Sequence, residues 1–262
     1  MRPYFAMLSA RFRALLQYRA AAVAGFSTQL FWGLIRMMIF VAFYENTAIR
    51  SPMPREHVIA YIWLGQAFLM LLPFRPDYEL EQMIRTGNIT SELLRPVDLY
   101  SFWYSRGIAS RVAPTMLRSI PLLLIASVAG WIFWPGLPSV LACGAALAGA
   151  VLLGSALATL MTITMFWTIS GHGISRLLGV SAYFLSGIVV PLPLFPDSLQ
   201  PLLNALPFRG LGDVPFRLFT GHMPVAELPA ALAHQLAWAA GLAMIGWWML
   251  SRATRKLVIQ GG

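Results

Sequence analysis

Charge is what this sequence has least of. Charged residues make up 11% of its 262 positions, against 58% hydrophobic, whereas a soluble domain carries roughly 25% charged residues. The chain cannot build the charged skin that a soluble protein of its length needs, so much of its surface must face lipid. Lysine is almost missing. A P-loop requires Gly-Lys followed by Ser or Thr, because the lysine meets the phosphates and the hydroxyl meets magnesium. The single lysine, Lys256, stands between Arg255 and Leu257, which excludes an ATPase site of that kind. Cysteine is as scarce: Cys143 lies alone in an Ala- and Gly-rich run, which rules out disulfide frameworks and Cys-based zinc or iron-sulfur sites within one chain. It reads as a packing residue.

Acidic side chains number ten, and none falls inside an apolar segment long enough to cross a bilayer. That disfavours an ion-coupled secondary transporter that relies on buried carboxylates. The four histidines, His57, His172, His222 and His234, show no spacing that would put two on one helical face, so no metal site is expected. No GxSxG elbow is present either. The alternative of a self-contained membrane-embedded enzyme acting on lipid would rest on His172, in the turn SGHG, or on His234. The net charge of +9 forms no basic and aromatic stripe, so nucleic acid is not a predicted partner.

What is present in quantity is apolar sequence. A crossing needs about 20 mainly apolar residues, and segments 22–44, 57–74, 107–133, 138–168, 173–195 and 229–250 fit, giving six. The first follows about twenty amphipathic residues and no small-residue cleavage site, so it reads as a retained span. Arginine and lysine orient the chain. With the N-terminus inside, one set of connections holds twelve basic residues: Arg2, Arg11, Arg13, Arg19, Arg75, Arg85, Arg95, Arg106, Arg176, Arg252, Arg255 and Lys256. The other holds four: Arg50, Arg55, Arg209 and Arg217. Both termini are therefore predicted to be cytoplasmic.

Three features break the run of spans. Residues 4–19, YFAMLSARFRALLQYR, repeat apolar residues at helical spacing with arginines elsewhere on the wheel, the pattern of an interfacial helix over 1–21. Between spans two and three, the stretch 75–106 holds half of the acidic residues, Asp77, Glu79, Glu81, Glu92 and Asp98. Pro76 and Asp77 there can start a short helix over Tyr78 to Arg85, and Gly87 can end it. Lastly, SGIVVPLPLFPDSLQPLLNALPF (186–208) contains five prolines, so the fifth span is expected to break near Pro191 and Pro193 into an outer re-entrant or interfacial segment over 191–228. A fresh helix start is expected after Pro196.

Arginines within spans are costly and often functional. Arg36 sits mid-span and Arg118 deep in span three, so both are candidates for contact with substrate or an anionic headgroup, or for pairing with backbone carbonyls. Arg111 reads as snorkelling to the interface. The small-residue run GAALAGAVLLGSALATL (144–160) points to close helix packing inside one subunit.

The order of these features, with GNITSELLRPVDLY after span two and LSGIVVPLPLFPDSLQPLLNALPF after span five, resembles the ABC-2 type permease family, in its branch of small six-span export permeases. The resemblance covers essentially the whole chain, a single permease domain over 1–262. Its specific parts are the LLRPVDL loop and Ser186, Gly187, Pro191, Phe195 and Pro196. It implies an all-α integral membrane protein of the bacterial cytoplasmic (inner) membrane, the permease subunit of an ATP-binding cassette exporter. It also implies partners: cytosolic ABC ATPase subunits that carry the ATP and magnesium, and a second copy or a paralogous permease. Asp77 to Gly87 would be the coupling helix, with Asp77, Glu79, Glu81 and Arg85 as contacts to the ATPase. Transport would follow ATP-driven closure of two ATPases, transmitted through such helices. No cofactor is expected in this chain.

Overall fold

The computed structural model describes residues 2–17, 19–46, 51–168 and 172–256, and the side chains of Arg2, Arg19, Ala21, His172 and Lys256 fall outside the described set. Arg50 and the linker position Tyr18 also lie outside it. Among the described residues the chain is all helical. It runs as α1 (Arg2–Leu16), α2 (Arg19–Asn46), α3 (Arg55–Ala67), α4 (Tyr78–Arg85), α5 (Thr90–Leu93) and α6 (Leu99–Val128). There follow α7 (Leu137–Thr164), α8 (His172–Leu185), α9 (Gln200–Ala205), α10 (Asp213–Thr220) and α11 (Leu228–Lys256). Short 3₁₀ turns at Leu69–Leu71, Leu192–Leu194, Asp197–Leu199, Pro207–Leu211 and Val225–Glu227 join several of them.

Among the described residues, four helices are long and apolar enough to cross a membrane: Ala22–Asn46 in α2, α6, α7, and Val225–Arg255 around α11. The chain is a multi-pass membrane protein. The other two expected spans are shorter than read from the sequence, α3 having 13 residues and α8 having 14, where an ideal crossing takes about 20. Each stops for a local reason. Helix α3 runs into a 3₁₀ turn ahead of Pro73, and α8 ends at Leu185, two residues before Gly187, whose φ is +86°. The break therefore comes ahead of Pro191 and Pro193, at the glycine. Beyond Pro196 the chain does resume helical structure, as a 3₁₀ turn that leads directly into α9.

Span three begins earlier than expected. Asp98 accepts a hydrogen bond from the Ser101 amide at 2.7 Å, a side-chain cap that starts α6 at Leu99. The last residues of the 75–106 stretch, LYSFWYSR, are thus helical and carry α6 beyond its apolar part.

Helix α7 is the centre of the bundle. It packs against α11, α10, α6 and α8, and its run of small residues lets the neighbours approach closely. At Gly154 an added Cβ would stand 2.7 Å from the Leu71 carbonyl oxygen, so only glycine admits the turn after α3. Gln235 of α11, fully buried, donates from one amide nitrogen to Ala146 of α7 at 2.9 Å and to Gly210 at 2.7 Å. Helix α2 is at the other extreme, with 11% of its apolar window buried by the chain. One apolar core joins α3, α6, α7 and α10 through Tyr61, Trp63, Leu122, Leu157 and Phe216. A second gathers at the end of the bundle that bears α1, α4 and α5, around Leu80, Ile89, Tyr100, Trp103 and Ile163.

Gly187 offers a direct test of that reading. A Cβ there would overlap the Tyr61 hydroxyl and crowd Asp213, on top of about 1–2 kcal/mol for a left-handed backbone. Gly221 has a φ of +74° and open space around it. Gly187→Ala should lower the unfolding midpoint in detergent well beyond Gly221→Ala; equal losses would mean that the Tyr61 approach is unimportant.

Candidate functional site

Helix α4 is where the sequence concentrated acid, and the local chemistry explains its existence. Asp77 Oδ1 accepts from the amides of Glu79 at 3.0 Å and Leu80 at 3.2 Å. Glu79 and Glu81 lie in the first turn and Arg85 in the last, each favourable to the helix dipole. Gly87, with φ +74°, turns the chain after the Thr86 cap. An eight-residue helix is marginal by itself, so tertiary contacts must hold it. Leu80, 1% exposed, plugs it into the second apolar core.

The principal tie is ionic. Arg106 of α6, 6% exposed, grips Asp77 with two hydrogen bonds, Nε to Oδ2 at 2.7 Å and Nη2 to Oδ1 at 3.0 Å. It also pairs with Glu79, which pairs in turn with Arg11 of α1. The Asp77 amide donates to Thr162 Oγ1 of α7 at 3.1 Å. Three elements therefore meet on the first turn of α4: the surface helix α1 and the long helices α6 and α7. A planar guanidinium that holds a carboxylate at two points fixes orientation as well as distance.

The four sequence candidates are placed unequally by this geometry. Asp77 is occupied by the cap and by Arg106. Glu81 is mostly buried and pairs with Arg85 at 3.3 Å. Glu79 is half exposed beside its two arginines. What α4 presents outward is a stripe at helical spacing, Tyr78, Gln82 and Arg85, and Tyr78 is 67% exposed. Nearby, Leu94 of the LLRPVDL loop is 79% exposed. Sequence reasoning missed Tyr78 and Leu94 as surface groups, and counted Arg106 only as one basic residue of a loop.

Burial works to raise the Glu79 carboxyl, but hydrogen bonds from Arg11 and then Arg106 outweigh it and hold the group below its ordinary value of 4.5. A depressed carboxylate stabilises the fold above its unfolded pKa, and that contribution fades as pH falls through the lower, folded value. Glu79→Gln should therefore loosen α4 at neutral pH, read as faster amide exchange in Tyr78–Arg85. The difference from wild type should shrink as pH falls below the ordinary value of 4.5 and vanish only once the lower folded value is passed, where both forms are neutral at this position. A pH-independent difference would rule out the ionic origin.

A second site lies within the bundle. Arg36 of α2 donates from Nη1 to the Ile188 carbonyl at 2.9 Å and from Nη2 to the Tyr183 hydroxyl of α8. Its guanidinium also lies over the Tyr183 ring at 5.6 Å. With its amide oriented to suit its neighbours, Gln66 of α3 accepts from Arg36 Nη1 at 3.3 Å and donates to the Gln29 backbone carbonyl at 3.2 Å. Among the described residues Arg36 has no carboxylate partner. The cavity beside it, about 650 Å³, is walled by Trp32, Ile39, Phe40, Leu69 and Val190. Gln29, 3% exposed, also lines it, and neither atom of its side-chain amide has a partner. Buried amides are normally satisfied, so this one marks a place where a polar group or water belongs.

Arg118 is elsewhere. It reaches Met70 Sδ at 3.2 Å and lies over Gly25 of α2, so it packs α6 against α2 rather than lining the Arg36 cavity. Gly187, Pro191, Pro193 and Pro196 shape the segment after α8. The Ser186 carbonyl accepts the Asp213 amide at 2.8 Å, and Asp213, 1% exposed, accepts from Tyr61 at 3.0 Å and pairs with Arg217 at 3.4 Å. That buried acid was overlooked because it lies outside every apolar run; the Gly-Leu-Gly before it was the available signal. No cluster of metal-binding side chains occurs among the described residues.

Residues 26–261 match the family described as ABC-2 family transporter protein. The chain belongs to the ABC-2 transporter family. A search of curated proteins returned no match. For an ABC-2 transporter component, the α4 assembly and the Arg36 cavity become the two places to ask how force enters and where cargo passes. The side chain of His172 is outside the described residues, and His234 ring Nε2 lies 3.4 Å from the Ala205 carbonyl at the surface.

Proposed function

We propose that this chain is the permease subunit of an ATP-binding cassette exporter in a bacterial inner membrane, moved by separate cytosolic ATPases. Family membership supports the permease, and members of the family work with ATPase partners. The lone lysine stands outside any P-loop context, which agrees with a nucleotide engine carried by a separate chain. In this reading α3 and α8, each extended by irregular chain, are the two remaining crossings; the even total puts both termini on one side, and the excess of arginine there makes that side the cytoplasm.

The observation that carries the mechanism is the Arg106 clamp. A short helix on the outside of the bundle can transmit a push only if it moves as one piece with the spans. Arg106 and Thr162 join the start of α4 to α6 and α7, and Glu79 with Arg11 joins it to α1. The ATPase would seat on Tyr78, Gln82 and Arg85, with Leu94 alongside. Cargo would pass by Arg36 and Gln29, whose cavity combines one cation with an apolar wall and so suits an amphiphile with an anionic group. A second permease would cover the open faces of α2 and α8. Those faces bear exposed Phe31, Trp32, Ile39, Leu177 and Phe184.

Co-expression with a P-loop ATPase encoded nearby and reconstitution into vesicles tests this. The permease reading predicts ATP-dependent export that is lost in Tyr78→Ala combined with Gln82→Arg, with the chain still folded. Export that proceeds with ATP depleted and an ion gradient imposed would favour the secondary transporter instead.

A further inference from the structure

A separate cavity opens under α4, enclosed by α1, the Leu72–Tyr78 turn, α6 and α7, with a volume of about 370 Å³. Its floor is Arg111 of α6. That guanidinium is 6% exposed, yet its hydrogen bond is to its own helix, Nη1 to the Gly107 carbonyl at 2.9 Å, and its Nε has no acceptor. An arginine carries five N–H donors, and a buried cation left with most of them unused is a costly arrangement. The surroundings do not repair it. Ser110, which also lines the cavity, has an unpartnered hydroxyl.

Charge points the same way. Asp77 is the cavity's carboxylate, but its oxygens are already held by Arg106 and by the first amides of α4. Arg75 stands exposed at the mouth and has no ion pair among the described residues. Arg11 shares Glu79 with Arg106, and its Nε is buried without a partner. Three arginines, Arg11, Arg75 and Arg111, thus line the cavity against one carboxylate, Asp77, which leaves cationic charge and unused donors directed into one space.

We propose that this cavity binds a phosphate group, with Arg111 beneath it and Arg75 and Arg11 at the mouth. A phosphate offers several acceptor oxygens to planar guanidiniums, which bind it at two points, and it matches the surplus of positive charge. The volume leaves room for what the phosphate is attached to. Leu15, Met70, Leu72 and Leu80 give that part of the wall an apolar character, suited to the glycerol and first methylenes of a phospholipid. A water-soluble phosphate ester shares the headgroup chemistry, and experiment separates the two sources.

The full-length chain, purified in neutral detergent, would be titrated with phosphatidylglycerol, with glycerol phosphate and with diacylglycerol, which lacks the phosphate, while the unfolding midpoint is followed. Phosphatidylglycerol should raise the midpoint and diacylglycerol should not. Arg111→Gln should weaken the apparent affinity about tenfold and Arg75→Gln about fivefold, while Arg55→Gln, at the opposite end of the molecule, leaves it unchanged. An equal shift with glycerol phosphate would identify a soluble ester as the source; a shift with phosphatidylglycerol only would identify the lipid. Should Arg111→Gln fail to fold, Arg75→Gln decides, because that side chain is exposed. The proposal is overturned if neither phosphate compound shifts the midpoint, or if both do so equally well in Arg75→Gln. Transport is not measured, so failure here would leave the permease reading untouched.

Discussion

Arg106→Gln should abolish ATP-driven export and destabilise the chain by about 3 kcal/mol, the order expected when one partner of a buried ion pair is removed and the other is left behind. Asp77 would lose both of its guanidinium bonds, and α4 would be held by Leu80, the Thr162 contact and the Glu79–Arg11 pair. The uncompensated charge dominates the loss, so the double variant Arg106→Gln with Asp77→Asn should recover much of the stability, because no ion is then stranded. It should not recover export, since the neutral pair no longer fixes the orientation of α4. Thermal midpoints in detergent and vesicle transport, measured on the two single variants and the double, separate these outcomes. Parallel recovery of both quantities would show that the clamp matters only for folding.

Arg36→Met should have the opposite signature. The substitution keeps the apolar stem of the side chain while removing the bonds to Ile188 and Tyr183 and the one cation that lines the cavity among the described residues. Charged hydrogen bonds of this kind are worth about 2 kcal/mol, so export of an anionic amphiphile should fall roughly thirtyfold. Because α4 and its clamp are untouched, the partner should still bind and its ATP hydrolysis should still respond to the permease. Tyr183→Phe, which removes one of the bonds, should show a smaller loss. A variant that transports normally would remove Arg36 from the cargo path and leave it a structural role.

Much of this was written into the sequence at short range. Pro76, Asp77 and Gly87 announce α4 because capping and helix termination depend on adjacent residues, and the helix lies where they put it. The long apolar runs of α2, α7 and α11 are equally direct. Legibility fails where the deciding neighbour is distant. Arg106 lies 29 positions from Asp77, and nothing local reveals that a basic residue after LYSFWYS belongs to a helix and turns inward. The start of α6 was missed because that segment is aromatic and polar rather than apolar, although Asp98 was a visible cap. The prolines after α8 drew the break toward themselves, while the backbone turns earlier, at Gly187, where Tyr61 and Asp213 crowd it. The orphaned amide of Gln29 and the unused donors of Arg111 are facts of packing, invisible in any window of sequence.

The central claim is that another protein's ATPase drives this chain through α4, and site-directed cross-linking tests it most directly. In a Cys143→Ser background, whose native thiol is buried, a single cysteine at Gln82 would be cross-linked in vesicles with and without ATP. The account predicts that the linked partner is a P-loop ATPase and that the yield changes with nucleotide. Normal export with no nucleotide-binding protein linked at this helix would contradict it.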